Sequence, residues 1–272
     1  MDTLDTFDTA TTPVPVTENC YSWAIPDGWQ QGRGAWGGLI VGALIRAVEA
    51  SEPDAERVVR SITANLVAPA VVGEHVIETQ VVRRGSAVAT WSATLRNGEG
   101  TAIAIATVIA GASRSVRVAP DYASWSNLDM PIVPPSHEVP RLEFGPPLGP
   151  VFVQHIDARV VAGLPGEAGD AQSWGWIDYA RPVRPTSASV LALVDAWWPA
   201  SLVALEGMVP IATVSFAANL LVDPADLQAG QPLLHHCLVT SALEGYTSEH
   251  RRLWTADGRL AVDNLQSIVL IA

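Results

Sequence analysis

The stretch Gly28-Trp29-Gln30-Gln31-Gly32-Arg33-Gly34-Ala35-Trp36-Gly37-Gly38 runs directly into Leu39-Ile40-Val41-Gly42-Ala43-Leu44-Ile45-Arg46-Ala47-Val48-Glu49-Ala50. Its first part is too rich in glycine for regular structure. Its second part is apolar nearly all round, with polar residues only toward its end. A helix of about three turns with no polar face has no side to turn to water, so it reads as buried. The next segments of the chain can surround it. Residues 58–67, 74–83, 87–96 and 101–109 are strand candidates, bounded by turn residues such as Gly73, Gly85, Asn97-Gly98 and Gly100. In the third, Ala87, Ala89, Trp91, Ala93 and Leu95 share one face, and Thr90, Ser92, Thr94 and Arg96 share the other. That is the period of a strand. Residues 20–25 supply another strand ahead of the glycine-rich segment.

The second half repeats this order. Residues 171–179 read as a strand and Arg181-Pro182-Val183-Arg184-Pro185-Thr186 as a connector. Residues 187–198 read as an apolar helix, with Ser187 or Thr186 as N-cap and Pro199 ending or kinking it. Strand candidates follow at 211–222, 233–243, 247–255 and 259–271. Asp257-Gly258, like Asn97-Gly98, is a two-residue hairpin signal. The expected organisation is a flexible tail over 1–18, a first unit over 19–119, a proline-dense linker over 120–150 and a second unit over 151–272. Trp125, Met130, Ile132 and Phe144 suggest that the linker lies against the body.

Composition narrows the function. Of 272 residues, 49% are hydrophobic and 16% charged, enough to bury a sizeable core. The net charge of -12 repels a phosphate backbone, so nucleic acid is not an expected partner. All 16 bases are arginine, which removes Schiff-base chemistry and any P-loop lysine. Cys20 and Cys237, without a signal peptide, suggest neither a disulfide framework nor a cysteine metal site. His235-His236 lacks a spaced third ligand, so no metal is expected. No apolar run reaches the roughly 18 residues of a membrane span. The expectation is a soluble cytoplasmic protein.

A long apolar helix followed by a curved antiparallel sheet resembles the hotdog fold, and two copies resemble a double hotdog: an α+β fold with two antiparallel sheets, each wrapping a helix. Several segments carry a closer resemblance. They are Trp36-Gly37-Gly38-Leu39-Ile40-Val41-Gly42, Val82-Arg83-Arg84-Gly85 and the Arg96-Asn97-Gly98 turn in the first half. In the second they are Val194-Asp195-Ala196-Trp197-Trp198-Pro199-Ala200, Pro210-Ile211-Ala212-Thr213-Val214, Trp254-Thr255-Ala256-Asp257-Gly258-Arg259-Leu260 and Asn264-Leu265-Gln266-Ser267. In order and spacing these resemble the acyl-CoA thioesterase II family, in its actinobacterial thioesterase-like branch. The resemblance implies acyl-CoA as substrate, with coenzyme A only as part of it and no other cofactor. It also implies a hydrolytic group made of an Asp on the second helix, a Thr or Ser on the next strand and a Gln on the last. By motif these are Asp195, Thr213 and Gln266.

Each of these residues also has a plainer reading. An acid inside an apolar helix costs several kcal/mol unless partnered, so Asp195 is either catalytic or on a solvated stripe. Thr213 is ordinary strand chemistry. Strict alternation groups it with Ile211, Ser215, Ala217 and Asn219, opposite the wholly apolar Ala212, Val214, Phe216, Ala218 and Leu220. Gln266 is either catalytic or a satisfied structural amide. Gly37 and Gly38 open the first helix, whose N–H groups and dipole end could hold an oxyanion; close packing is the alternative. Trp198 points nearer to the direction of Asp195 than Trp197 does, making it the candidate to line an acyl pocket, with Trp197 in the core. Arg33, Arg83, Arg84 and Arg184 are candidates for coenzyme A phosphates or plain surface charges. The first-half counterpart of Asp195 falls near Gly42-Ala43, so one active site per chain is expected. Outer sheet edges predict a homo-oligomer of even number. Two rival functions remain: a non-catalytic acyl-CoA binding protein, and a hotdog hydratase.

Overall fold

The computed structural model describes residues 6–115, 128–147 and 149–271. The first half carries α1 (Phe7–Thr11), β1 (Val14–Thr17), β2 (Cys20–Ile25), the short pair β3 (Gln30–Gln31) and β4 (Gly34–Ala35), α2 (Gly37–Ser51), β5 (Val58–Leu66), β6 (Gly73–Arg84), β7 (Val88–Arg96) and β8 (Ala102–Gly111). The second carries β9 (Ile156–Ala162), β10 (Gln172–Tyr179), α3 (Ser187–Leu193), β11 (Ile211–Leu220), β12 (Leu233–Leu243), β13 (Tyr246–Trp254) and β14 (Leu260–Leu270). Each half curls its antiparallel strands around its helix, the double hotdog arrangement. The two half-sheets are not separate. They join edge to edge into one twelve-stranded sheet of order β1-β2-β6-β7-β8-β5-β11-β14-β13-β12-β10-β9. The seam is the antiparallel pair of β5 and β11, from Ser215 opposite Asn65 to Asn219 opposite Ser61. Each half thereby covers an edge the other would leave open.

α2 is buried from Gly37 through Ile45 and again at Ala47 and Val48, as its all-round apolar sequence requires. α3 departs from expectation. It begins on a Thr186–Ser189 capping box and ends at Leu193, not at 198. Asp195 and Ala196 donate to Ala192 and Leu193, tightening the last turn to i→i−3 bonds. Pro199 then forbids continuation, and the chain leaves the helix axis. Asp195 therefore lies just beyond the helix end rather than inside it.

The tail expected over 1–18 is tied down among its described residues. Phe7 is buried edge-on to Trp29 and Trp36. The Trp23 indole donates to Ala10 O at 2.9 Å, and Arg46 pairs with Asp8. β1 pairs with β2 at the sheet edge. Phe7 and Ala10, one helical turn apart, are the apolar anchors inside an Asp- and Thr-rich string. Gly42 makes room for Phe7, since a Cβ there would stand 2.6 Å from its ring.

The proline-dense segment packs in part. Val139, with Met130 and Val133, covers Trp176, Leu234 and Trp254 on the outer face of the second half-sheet. The Trp176 indole donates to Pro134 O at 2.8 Å. Phe144 meets Trp198 edge-on, whereas Ile132 is fully exposed. Trp125 lies outside the described residues. β9, not expected from sequence, adds the second edge of the sheet. Both expected two-residue hairpins are longer loops: Asn97 N–H bonds to Thr101 O, and Thr255 N–H to Arg259 O.

Candidate active site

The early end of α3 drops the Asp195 carboxyl between the N-terminus of α2 and the inner face of the sheet. Asp195 is 7% exposed. Its Oδ1 accepts from Gln266 Nε2 at 2.9 Å. The Gly38 N–H donates to the carboxyl, and the Trp36 indole donates to the Asp195 backbone O at 3.1 Å. Gly37 and Gly38 are the reason the helices come this close. A Cβ on Gly37 would lie 2.7 Å from Asp195 Oδ2, and one on Gly38 would lie 2.6 Å from Ala192 O. The positive end of α2 thus faces a buried acid.

Gln266 and Thr213 arrive from the sheet. Gln266 is fully buried on β14 and directs its amide N–H groups at Asp195 Oδ1 and, at 3.1 Å, Asn264 Oδ1. Thr213 Oγ1 donates to Gln266 Oε1 at 3.3 Å. This contact corrects the strict alternation expected for β11. Thr213 stands opposite Ile268 but Ser215 stands opposite Ser267, so Val214 is an extra residue, a β-bulge. The bulge flips the phase of the strand and brings Thr213 onto the inner face with Phe216, Ala218 and Leu220. Asn264 in turn donates to Ala217 O at 3.0 Å, so the amide chain is anchored to the backbone.

Two further residues escaped the sequence reading. Arg251, 1% exposed on β13, places Nη1 4.0 Å from Asp195 Oδ1 and donates to Trp197 O at 3.1 Å. Its Nη2 meets Glu249, fully buried on the same strand, at 3.2 Å. Glu249 also accepts from Ala200 N–H, Ser201 N–H and Ser201 Oγ at 3.0–3.1 Å. The available signal was their spacing. Thr247, Glu249, Arg251 and Leu253 share one face at strand period, and Leu253 is a core residue, so the two charges must face inward as well.

Burial raises the Asp195 carboxyl above its ordinary range, the largest influence on it. The Arg251 charge, then the Gln266 amide, Gly38 N–H and Trp36 indole, oppose that rise. His235, on β12, is held neutral by burial and by Arg251, with Nε2 3.1 Å from Val194 O. Cys237, also buried there, is pushed up to about 12 by burial.

Among the described residues the first half carries no counterpart to this group. β5 carries the same kind of bulge at Arg60, which sets Val59 opposite Ala110 and Ile62 opposite Val108. Val59 and Val108 occupy the positions of Thr213 and Gln266.

Beside Asp195 lies a cavity of about 260 Å³. Its wall begins at Ala196, the next residue, and includes both Trp197 and Trp198. Trp198 is half-buried, with its indole donating to Gly163 O at 2.9 Å. Trp197 is in the core as well, its indole donating to Ser173 Oγ at 2.8 Å. Leu142 and Phe144 of the proline-dense segment close one side, and Gln31 and Gly32 another. Exposed Arg33 is adjacent to these in the β3–β4 loop. Arg84 is engaged elsewhere, 3.6 Å from Glu52 and over the Trp91 ring. No helix among the described residues is long and apolar enough to cross a membrane.

The chain is similar to known proteins along most of its length. The model of the acyl-CoA thioesterase N-terminal domain matches residues 25–111, and that of the acyl-CoA thioesterase C-terminal domain matches residues 133–270. No curated protein matches the chain. Among solved structures, a conserved hot dog fold protein of unknown function from Alicyclobacillus acidocaldarius is 27% identical over 98% of each chain, with a TM-score of 0.87. A proposed thioesterase II from Thermobifida fusca is 25% identical, again over 98% of each chain, with a TM-score of 0.81. An acyl-CoA thioesterase II, TesB2, from Mycobacterium marinum shares the fold at 16% identity, covering 97% of this chain and 98% of that one with a TM-score of 0.76. With both halves matched in order across most of its length, the chain belongs to the acyl-CoA thioesterase family.

Proposed function

We propose that the chain hydrolyses acyl-CoA to a free acid and coenzyme A by direct attack of water, without a covalent acyl-enzyme. The observation that carries this reading is the convergence of Asp195, Gln266 and Thr213 at the N-terminus of α2, beside an apolar cavity. Asp195 Oδ1 is committed to Gln266, which leaves Oδ2 to take a proton from water. The Gln266 amide and the Thr213 hydroxyl orient that water. Its oxygen attacks the thioester carbonyl carbon while its proton passes to Asp195. The developing oxyanion lies against N–H groups at the positive end of α2, Gly37 foremost because the Gly38 N–H already serves the carboxyl. Collapse breaks the C–S bond, and the Asp195 proton passes to the leaving thiolate. The acyl chain enters the cavity against Trp198, and Arg33, next in sequence to Gln31 and Gly32 of the cavity wall, meets a coenzyme A phosphate.

Hydrolysis in ¹⁸O-water under single-turnover conditions tests the route. Direct attack of water gives thiol release, one labelled oxygen in the acid and none in the protein. Label in Asp195 would mean a covalent anhydride. Binding without thiol release, or loss of an enoyl double bond with coenzyme A retained, would replace the reading by a binding protein or a hydratase.

A further inference from the structure

The hydrolytic group leaves unexplained why a Glu–Arg pair is buried behind it. Such a pair takes two ions out of water, a cost that only close pairing and further hydrogen bonds offset. Its contacts show where it acts. After α3 the chain runs from Asp195 to Leu202 on i→i−3 bonds alone, with one 3-10 turn over Ala200–Leu202. Arg251 holds the Trp197 carbonyl, and Glu249 holds the Ala200 and Ser201 N–H groups. Arg251 Nη1 lies between that carbonyl and Asp195 Oδ1. Its Nε is buried and finds no hydrogen-bond partner among the described residues, so the guanidinium is not oriented to satisfy all its donors.

We propose that Arg251, held in place by Glu249, is a positioning residue of the site: it fixes the turn that carries Asp195 and keeps the Asp195 carboxylate in the ionised form that activates water. The inference rests on the hydrolytic reading above. The surroundings leave few competitors for this role. α2 presents Gly37 and Gly38 to Asp195, and its N-cap presents Trp36. β11 presents Thr213, and β14 presents Gln266 and Asn264. β12 presents His235 and Cys237, both buried and neutral. Among the described residues β13 alone brings charge, and it brings both signs: Arg251 next to Asp195, and Glu249 on the far side of Arg251. An opposite charge at this range lowers a carboxyl by about 1–3 pH units.

The two partners should therefore move Asp195 in opposite directions. The test tracks the ¹³C resonance of the Asp195 carboxyl, identified by its loss in Asp195→Asn, through a pH titration. The acid limb of kcat/KM for thiol release is recorded in parallel. The double variant Glu249→Gln/Arg251→Gln removes both members of the ion pair together, so neither is left without the other, and Asp195 loses its opposite charge. It should raise the midpoint by at least about one pH unit and shift the acid limb with it, a loss of about tenfold near the wild-type midpoint that recovers at high pH. Glu249→Gln alone should lower the midpoint, because Arg251 is then less neutralised. Arg251→Lys should stay near wild type. An unmoved midpoint in either the folded double variant or Glu249→Gln, or an equal loss of rate at every pH, would overturn the assignment. Should the double variant fail to fold, the direction of the Glu249→Gln shift decides alone. The resonance needs no turnover, so failure of the hydrolytic reading and failure of the Arg251 assignment register separately.

Discussion

Gly37→Ala measures how tightly the start of α2 must approach the acid. The added methyl would stand 2.7 Å from Asp195 Oδ2 and 3.1 Å from Leu66 Cδ1, where ordinary contact begins at 3.4 Å. Leu66 can yield by rotating its side chain. The carboxyl is held by Gln266 and by the Gly38 N–H, so it must retreat by roughly the missing 0.7 Å. Misplacing a catalytic group by about 1 Å costs on the order of 100-fold. Scaled logarithmically, the shift here lowers kcat by roughly 25-fold. Folding should survive. Alanine in a helix is favoured over glycine by up to about 1 kcal/mol, which offsets part of the roughly 1–3 kcal/mol cost of overpacking. The assay is steady-state release of coenzyme A thiol, with thermal melting as the folding control. Gly98→Ala is the matched comparison, since nothing stands within 4 Å of its added methyl, and it should behave as wild type. A folded Gly37→Ala protein with wild-type kcat would refute the placement of Asp195 Oδ2 at the reacting water.

Three further outcomes are expected. Trp198→Ala should shift preference toward longer or bulkier acyl groups, by about fourfold in kcat/KM per added methylene at about 0.8 kcal/mol each; an unchanged chain-length profile would show that Trp198 does not gauge the substrate. Asp178, raised from 3.8 to about 6 by burial, keeps a proton in the native state that the unfolded chain has lost, so its contribution to stability is full below about pH 4 and disappears as the pH rises through 6. Asp178→Asn should flatten the fall of Tm over that window, and a parallel wild-type and variant curve would contradict this. Pairing of chains into an even-numbered homo-oligomer, expected from the outer edges of the sheet, should show in light scattering, where a species of only 28.8 kDa over a wide concentration range would count against it.

What could be read from the sequence was what depends on local pattern. The all-round apolar run from Leu39 demanded a buried helix, and the period-two runs after it demanded strands. The repeat of both in the second half then fixed the double arrangement. The resemblance in Val194-Asp195-Ala196 and Asn264-Leu265-Gln266 picked out residues that the structure brings into hydrogen-bond contact. What failed depends on partners far along the chain. Val214 becomes a bulge only because β14 pairs two residues of β11 against its own register, so Thr213 changed faces without any local sign. α3 stops at Leu193 because α2 and Gln266 take hold of the next turn, although Trp197 and Trp198 continue the apolar pattern. Phe7 looked like part of a polar tail until its seat above Gly42 was in view. Glu249 and Arg251 were passed over: charge inside a sheet is costly, and only their pairing with each other and with the turn at Ala200 makes it tenable.

The central claim is that Asp195 is the base. Asp195→Asn keeps the size and hydrogen-bonding reach of the side chain but removes the proton acceptor. The measurement is the kcat for thiol release from acyl-CoA by the purified variant, with circular dichroism and thermal melting to establish folding. A folded protein should show kcat lowered on the order of 100-fold or more. Because burial raises the Asp195 carboxyl, the variant should also melt no lower than wild type at neutral pH. Wild-type turnover in the folded Asp195→Asn protein would contradict the account.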